Sequence, residues 1–256
     1  MLFYSFYAII LKIENMLKNP LPNAKLEKWP EGNVFQWYGE NPPLYTLYAG
    51  IAFHNGIDIG TYDGDLVVAA HDGKVVEVYN APKGYGHHIR VVSDKIDDKY
   101  IETIYGHLRE DMLVKVGDKV KGGETYLGME SNSGFVVSNS TSFWGNAPAG
   151  KGVHLHFGVR YLTDVKPNTY QISYSSGYSF SVINNIVNGY IDPMKLLNMK
   201  LKLVKEKNRN AIYAVINSHY YWISAEAMGD LIGEELASWA DVVETDAKIE
   251  LEGVIK

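Results

Sequence analysis

Two short segments of the sequence hold side chains that bind metals well. His54 and Asp58 lie in HNGID, residues 54–58, and His154 and His156 lie in HLH, about a hundred positions further along the chain. Residues two apart in a strand share one face at a spacing of about 7 Å, so both histidines of HLH can address one site. Gly56 is expected to relax the backbone between His54 and Asp58, which lets their side chains converge.

Two imidazoles and one carboxylate form a ligand set that suits zinc. The chain has no cysteine, so thiolate metal sites and disulfide frameworks are excluded. Three protein ligands leave one position of a tetrahedral shell for water, which is typical of catalytic zinc sites and not of structural ones. The sequence therefore predicts a metal site that does chemistry.

The elements that position these residues read as β-strands. From about Gly32 the chain consists of short alternating segments separated by glycine-containing turns, as in Lys74–Tyr79 after Asp72-Gly73. This pattern predicts a mainly β fold, with a largely antiparallel sheet or sandwich. Residues 130–152 and 163–189, which are rich in Ser, Asn, Gly or Tyr, are expected to form long loops.

Both ends of the chain suggest appended elements. Apolar residues from Phe3 to Leu17 recur at helical spacing, so we expect an amphipathic N-terminal helix; an export signal or membrane anchor is the second interpretation. The apolar run stops at Lys12, short of a bilayer span, and neither a preceding basic residue nor a cleavage site supports a signal peptide. After Pro193 a closing helix and linker are expected, then a hairpin about Asn217-Ser218 and a helix capped by Ser224.

Composition and charge narrow the classes of partner. The chain has 256 residues, 46% of them hydrophobic, which is enough for a full core. Its net charge of −6 arises from 24 basic and 30 acidic residues that are interspersed along the chain. A basic stripe for nucleic acid and a polybasic cluster for an anionic membrane are both missing from the sequence.

Five motifs in fixed order resemble the lysostaphin-type zinc endopeptidases, a family of peptidoglycan hydrolases with the duplicated-hybrid-motif fold. The resemblance extends over about residues 30–198. The motifs are His54-x-Gly56-x-Asp58, Asp72-Gly73-x-Val75, Tyr105-x-His107-Leu108, Val116-Gly-Asp-x-Val120 and His154-Leu-His-Phe157.

The resemblance implies that His54, Asp58 and His156 bind Zn²⁺, and that the catalytic residues His107 and His154 stand beside it unligated. Which of the two histidines is the general base stays open. The implied activity is zinc-dependent hydrolysis of peptide bonds in peptidoglycan cross-links or stem peptides, outside the cytoplasm or by a phage lysin or virion component. We therefore expect an N-terminal helix and linker at 1–30, a zinc peptidase domain at 31–198 and a small α+β module at 201–256.

One segment departs from the family pattern. Family members commonly carry a short turn between the positions of Gly128 and His154, whereas about two dozen residues intervene here. Phe143 and Trp144 in this segment are expected either to contact a substrate peptide or to pin the loop. Of the remaining histidines, His71 is interpreted as a solvated strand end, and neither His87 nor His88 is expected to bind metal.

Alternative functions remain open at this point. A catalytically silent relative of the same fold would activate or position another cell-wall enzyme, but such proteins typically lose one or more of the five metal and catalytic positions. A carrier or phosphotransfer domain is the third alternative, because the hairpin at 114–128 resembles those of carrier domains and some phosphotransfer domains use paired histidines. The carrier interpretation lacks the modifiable Met-Lys turn and leaves Asp58 without a role. The aromatic residues of 201–256 suggest a wall or virion attachment module, or the core of that unit.

Overall fold

The computed structural model divides the chain into two compact units. One is Leu17–Leu197, and the other contains residues 198–256. The predicted N-terminal helix lies outside the described residues, apart from Leu17, which is buried. The described residues are 17–48, 52–80, 84–94, 100–145, 147–162, 182–183, 186–187, 190–197, 202–206, 212–216, 219–223, 242–245 and 251–255.

The first unit is mainly β, as predicted from the alternating segments. All of its described strand pairs are antiparallel. Its strands are β1 Val34–Gln36, β2 Ile57–Ile59, β3 Leu66–Val68, β4 Gly73–Tyr79, β5 His87–Val92, β6 Tyr100–Leu108, β7 Lys119–Val120, β8 Tyr126–Met129, β9 Phe135–Ser138, β10 Thr141–Trp144, β11 Leu155–Leu162, β12 Val182–Ile183, β13 Ile186–Val187 and β14 Tyr190–Ile191.

Two short helices accompany these strands. They are α1 Pro42–Tyr48 and α2 Met194–Leu197. Prolines at the start of α1 suit a first helical turn, whose N–H groups have no partner within the helix. Within the described residues, neither helix has the length and apolar character needed to cross a bilayer.

One large sheet carries the elements of interest. Its main path runs β12-β13-β14-β11-β6-β5-β4-β7. On the side of β11 away from β6, β2 pairs with the first half of β11 and β14 pairs with the second half. The strand β1 extends this edge by pairing with β2. Two small sheets, β3 with β8 and β9 with β10, complete the unit.

The core lies against one face of the large sheet. Leu155, Phe157 and Val159 of β11 are fully buried in it, together with Tyr105 of β6 and Ile57 of β2. Because side chains alternate along a strand, the residues between these positions point to the opposite face. His156 and Asp58 occupy that opposite face.

The segment 130–152 differs from the prediction. It was expected to be a long loop, but β9 and β10 form a hairpin with Asn139 and Ser140 at its turn. Both turn residues have positive φ, 49° and 64°, a conformation that two-residue hairpin turns favour. In the second predicted loop, at 163–189, the described residues form the short strands β12 and β13.

The described strands of the C-terminal unit are β15 Lys202–Glu206, β16 Ile212–Ile216, β17 His219–Ile223, β18 Val242–Thr245 and β19 Leu251–Ile255. They form a five-stranded mixed sheet in the order β18-β15-β16-β17-β19. The predicted hairpin about residues 217–218 is confirmed by the antiparallel pairing of β16 with β17. The closing helix predicted after Pro193 is α2, and the last residues of the segment predicted as helix and linker begin β15. The helix predicted after Ser224 lies outside the described residues.

Candidate metal centre

Strand pairing places the carboxylate and one imidazole side by side. Asp58 of β2 is the direct cross-strand partner of His156 of β11. Directly paired residues of antiparallel strands project to the same face, so the two side chains meet over the sheet. The distance from His156 Nδ1 to Asp58 Oδ1 is 3.1 Å.

His54 reaches the same point from the segment before β2. Its N–H donates to the carbonyl of Glu40, and its own carbonyl accepts from Gly39, so the backbone is held on both sides. Its Nε2 lies 3.1 Å from Asp58 Oδ1 and 3.0 Å from His156 Nδ1. The three residues predicted as ligands therefore converge on one point.

Gly56 is required between His54 and Asp58 for space. A Cβ at this position would lie 2.6 Å from the carbonyl oxygen of Phe157 and 2.8 Å from the Cε1 and Nε2 atoms of His156. The backbone of Gly56 is outside the left-handed region, so other residues could adopt its conformation. The expectation that this glycine relaxes the backbone was wrong, because the glycine serves to let β11 approach closely.

The donor atoms fit a tetrahedral zinc ion. Zinc bonds of about 2.0–2.2 Å at tetrahedral angles separate neighbouring ligand atoms by about 3.3 Å. The three separations of 3.0–3.1 Å are slightly smaller, so a small outward movement accommodates the ion. All three residues are buried, with 8% exposure at most, which favours ligand binding over hydration of the carboxylate.

Three of the four imidazoles at the site are oriented by the same kind of hydrogen bond. In each, Nδ1 lies within hydrogen-bonding distance of a backbone carbonyl, which can only accept. Nδ1 therefore carries the proton and Nε2 presents its lone pair to the site, as in metal centres whose ligands are fixed by outer partners. The pairs are His54 with Trp37 at 3.0 Å, His107 with Ser133 at 2.6 Å, and His154 with Gly152 at 2.8 Å.

The two histidines predicted to stand beside the metal lie next to each other. The ring centroids of His107 and His154 are 4.5 Å apart, and that of His107 is 6.2 Å from that of His156. His154 Nε2 lies 3.7 Å from Asp58 Oδ1. His107 has a φ of 61°, which is unusual for a residue with a side chain, and its N–H donates to the carbonyl of Tyr85.

The electrostatics of the site favour cation binding. Burial alone would raise the pKa of Asp58, but the imidazoles of His54, His154 and His156 outweigh it and hold that pKa well below its usual range. Burial lowers the pKa of His156 to about 4. Burial, and then the neighbouring His154 and His156, also lowers the pKa of His107 well below its usual value. Asp58 is thus an ionised carboxylate near pH 7, and His107 and His156 are neutral imidazoles, and metal binds to carboxylate and imidazole ligands in these forms.

Further residues that the sequence did not single out border the site. The Tyr45 ring of α1 stacks on His54 with centroids 5.1 Å apart, and the Tyr85 ring lies 4.9 Å from His156. The side-chain amide of Asn55 donates to the hydroxyl of Tyr85 at 2.6 Å. Because these residues lie in a short helix, a turn and the segment before β2, strand periodicity contains no signal for their positions.

Phe143 and Trp144 project to opposite sides of the β9–β10 hairpin. Trp144 is 53% exposed and packs against Phe135 with ring centroids 4.3 Å apart. Phe143 pairs with Val136, which is buried. The two aromatic residues therefore cannot both face a ligand on one side of the hairpin, and Trp144 is the more accessible one.

His71, His87 and His88 are not among the residues placed to hold a metal. His71 is buried and bonded to the carbonyl of Asp72 at 2.8 Å and to Thr103 Oγ1 at 3.0 Å, so its interpretation as a solvated strand end was wrong. His88 is also buried and bonds the carbonyl of Gly86. Within the described part of the chain, the group of residues able to hold a metal is His54, Asp58 and His156.

Comparison with known proteins shows what this chain is similar to. Residues 52–169 match the family described as Peptidase family M23. The murein hydrolase activator NlpD of Escherichia coli (strain K12) is 31% identical over 129 residues, which are 50% of this chain and 28% of that protein. The uncharacterized lipoprotein YgeR of the same strain is 35% identical over 118 residues, 46% of this chain and 39% of that protein. The chain thus spans well under half of the length of these curated relatives.

Solved structures show similarity of the same kind. The catalytic domain of the antimicrobial peptidase lysostaphin from Staphylococcus simulans is 26% identical. That match covers 70% of this chain and 96% of the other, with a TM-score of 0.43.

Proposed function

We propose that the protein is a zinc-dependent endopeptidase that hydrolyses peptide bonds in the cross-links or stem peptides of peptidoglycan, in keeping with the match of residues 52–169 to Peptidase family M23. The main support is the convergence of His54, Asp58 and His156, with donor atoms 3.0–3.1 Å apart. All of the motif positions for binding metal and handling protons are occupied in this chain by residues able to perform these tasks.

Zinc held by these three residues would supply Lewis acidity, which polarises a carbonyl and lowers the pKa of coordinated water to about 7. The buried carboxylate of Asp58 offsets part of the positive charge. His54 and His156 would each offer one ring nitrogen to the ion, and their surroundings hold both rings in place.

His107 and His154 would handle protons and charge on the substrate. Each donates its Nδ1–H to a backbone carbonyl and so presents Nε2 to the site. A neutral Nε2 can accept the proton of the attacking water and deliver it to the departing amine, and a protonated one can donate to the oxyanion. Each such contribution is worth about 10² to 10⁴-fold in rate.

We place this action outside the cytoplasm, where peptidoglycan lies. The names of the two Escherichia coli relatives, a murein hydrolase activator and a lipoprotein, support this location. Delivery as a phage lysin or virion component is compatible with the same substrate. We propose the C-terminal unit as the part that attaches the enzyme to its wall or virion.

A second candidate is a silent activator of another cell-wall enzyme, and the name of NlpD is the observation that favours it. An activator has no need of zinc ligands or of two imidazoles with defined tautomers beside them. The retention of both features in this chain supports hydrolysis.

One experiment separates the two candidates. The full chain is purified without chelators, its zinc content is measured, and it is incubated with peptidoglycan of several cross-link types. Released fragments are identified by mass spectrometry, which reports the bond cut as well as the activity. Asp58→Ala serves as the matched inactive protein.

We expect about one zinc per chain and fragments that Asp58→Ala does not release. A zinc-loaded protein that releases nothing alone, yet increases fragment release by an added murein hydrolase, would establish the activator instead. A folded protein that takes up no zinc on titration would remove the proposed enzyme.

A further inference from the structure

His156 differs from the other three imidazoles of the centre. Its Nδ1 faces the donor atoms of His54 and Asp58 at 3.0 and 3.1 Å, so Nδ1 is the atom placed to bind the metal. Its Nε2 is buried and has no hydrogen-bond partner within the described residues. A neutral imidazole has one N–H, so Nε2 must carry the proton once Nδ1 binds an ion. Metal binding therefore creates a buried donor that needs an acceptor.

A buried acceptor that also lacks a hydrogen-bond partner belongs to the residue directly after the ligand His54. Asn55 is 3% exposed, and its Oδ1 finds no partner in the described part of the structure. Buried polar atoms are seldom left in this state, because each loses its bonds to water without replacement. Asn55 Oδ1 is an acceptor without a donor, and His156 Nε2 is the nitrogen that must carry a proton, so the two atoms are complementary.

Asn55 and His156 have two neighbouring residues in common, Tyr85 and Gly56. Asn55 donates through Nδ2 to the Tyr85 hydroxyl at 2.6 Å, and the Tyr85 ring lies 4.9 Å from the ring of His156. Asn55 also directly precedes Gly56, where an added Cβ would lie 2.8 Å from His156 Nε2. Tyr85 and Gly56 are thus neighbours of both Asn55 and the His156 ring.

We propose that Asn55 is the positioning residue of His156: in the zinc-loaded protein its Oδ1 accepts the Nε2–H of His156, directly or through one buried water. Its Nδ2 remains on Tyr85, which orients the amide. The inference rests on the zinc site of the proposed function and not on hydrolysis.

This assignment completes the outer shell of the centre. The carbonyls of Trp37, Ser133 and Gly152 orient three imidazoles, and the side-chain amide of Asn55 takes the same part for the fourth. Loss of such an outer partner typically weakens metal binding about 10 to 100-fold.

The test measures zinc affinity of the full chain by competition with a chelator. Asn55→Leu keeps the size of the side chain and removes the acceptor, whereas Asn55→Asp keeps an acceptor oxygen. We expect Asn55→Leu to bind zinc about 10 to 100-fold more weakly and Asn55→Asp to bind as tightly as the unchanged protein or more tightly. Tyr85→Phe, which frees the amide to rotate, should show a smaller loss than Asn55→Leu.

A purely structural role is separated by thermal unfolding with and without zinc. Asn19→Leu is the matched control, because Asn19 bonds the backbone of Leu21 and Ala24 away from the four imidazoles. It should lower the unfolding midpoint equally in both conditions and leave zinc affinity unchanged. Asn55→Leu should mainly reduce the increase in midpoint that zinc causes.

A second readout needs no variant. Nitrogen NMR of the histidine side chains in the unchanged, zinc-loaded protein should show His156 bound through Nδ1, with a slowly exchanging proton on Nε2. The proposal is overturned if zinc binds His156 through Nε2, if Asn55→Leu keeps its zinc affinity, or if Asn55→Asp loses as much as Asn55→Leu. Tight zinc binding without hydrolysis would instead refute the proposed enzyme and leave Asn55 in this role.

Discussion

The close approach of β2 and β11 at Gly56 makes Gly56→Ala a sharp test of the metal centre. The added methyl group would lie 2.6 Å from the carbonyl oxygen of Phe157. Ordinary contact begins at 3.4 Å, so the strands would have to separate by about 0.8 Å. The contacted groups are the backbone carbonyl of Phe157 and the ring of His156, which both belong to β11. Neither group can rotate away without moving the strand or the metal ligand.

The same displacement acts on the ligand atoms. Asp58 lies on β2 and His156 on β11, with 3.1 Å between their donor atoms. An added separation of about 0.8 Å would take that distance beyond the roughly 3.3 Å that a tetrahedral zinc ion requires. Metal sites tolerate deviations of only about 0.2 Å in bond length. We therefore expect zinc affinity to fall by about 100-fold or more, at or above the upper end of the loss caused by removing an outer partner.

The zinc-free protein should lose stability as well. Overpacking of this kind costs about 1–3 kcal/mol, which for a unit of this size corresponds to a decrease of about 2–12 °C in the unfolding midpoint. Chelator competition measures the first effect and thermal unfolding in excess chelator measures the second.

Gly60→Ala is the matched control, because Gly60 follows β2 directly. Its added methyl group would meet the ring of Phe35, which is 46% exposed and can turn toward solvent. Gly60→Ala should therefore leave zinc affinity unchanged. If both variants bind zinc equally well, the reasoning from strand separation is refuted.

Three other predictions follow from the same geometry. His156→Ala should lose zinc and hydrolysis together, whereas His154→Ala and His107→Ala should keep zinc and lose at least about 10²-fold in turnover. The losses of the last two variants should be less than multiplicative when they are combined. Zinc retained by His156→Ala but lost by His154→Ala would reverse the assignment. Burial lowers the pKa of His156 from 6.5 to about 4, so the unfolded chain takes up the proton first. The free energy of unfolding of the zinc-free protein should then decrease by about 3 kcal/mol as pH falls from 6.5 toward 4, as measured by urea unfolding. A free energy of unfolding that stays constant over this pH range, and that is the same in His156→Asn, would contradict the prediction. Truncation after Asn198 should spare hydrolysis of a soluble cross-linked peptide while weakening binding to intact wall, and equal wall binding by the truncated chain would exclude an attachment role for the C-terminal unit.

The parts of the site that follow strand periodicity were predictable. Alternation puts His154 and His156 on one face and Leu155 on the other, and in the structure Leu155 is fully buried while both imidazoles reach Asp58. The pairing of β2 with β11 depends on contacts about a hundred residues apart, and only the resemblance of the five motifs indicated it.

The β9–β10 hairpin was missed although the sequence contains a signal for it. FVVS and TSFW, each of strand-forming character, flank Asn139 and Ser140. Asparagine adopts positive φ more readily than most residues, which suits a two-residue turn. The high Ser and Asn content of the segment obscured this pattern.

The groups that orient the imidazoles could not be predicted. Trp37, Ser133 and Gly152 each contribute a backbone carbonyl, which every residue type has, so their identities contain no information about the contact. Asn55 stands inside the His-x-Gly-x-Asp motif at a variable position, and its orphan oxygen becomes visible only when burial is known.

The segment between Gly128 and His154 has a base, residues 131–133, that hydrogen-bonds to the histidines of the site, and a tip, the β9–β10 hairpin, that lies beyond these hydrogen bonds. At the base, the carbonyl of Ser131 accepts the N–H of His154, and the carbonyl of Ser133 accepts the Nδ1–H of His107. Because both contacts use backbone atoms, the segment can change length and sequence beyond them without moving either imidazole. The exposed face with Trp144 lies beyond these contacts. Under the proposed function, we expect differences in substrate between this protein and its relatives to reside in the hairpin tip, and proton handling to depend on the base.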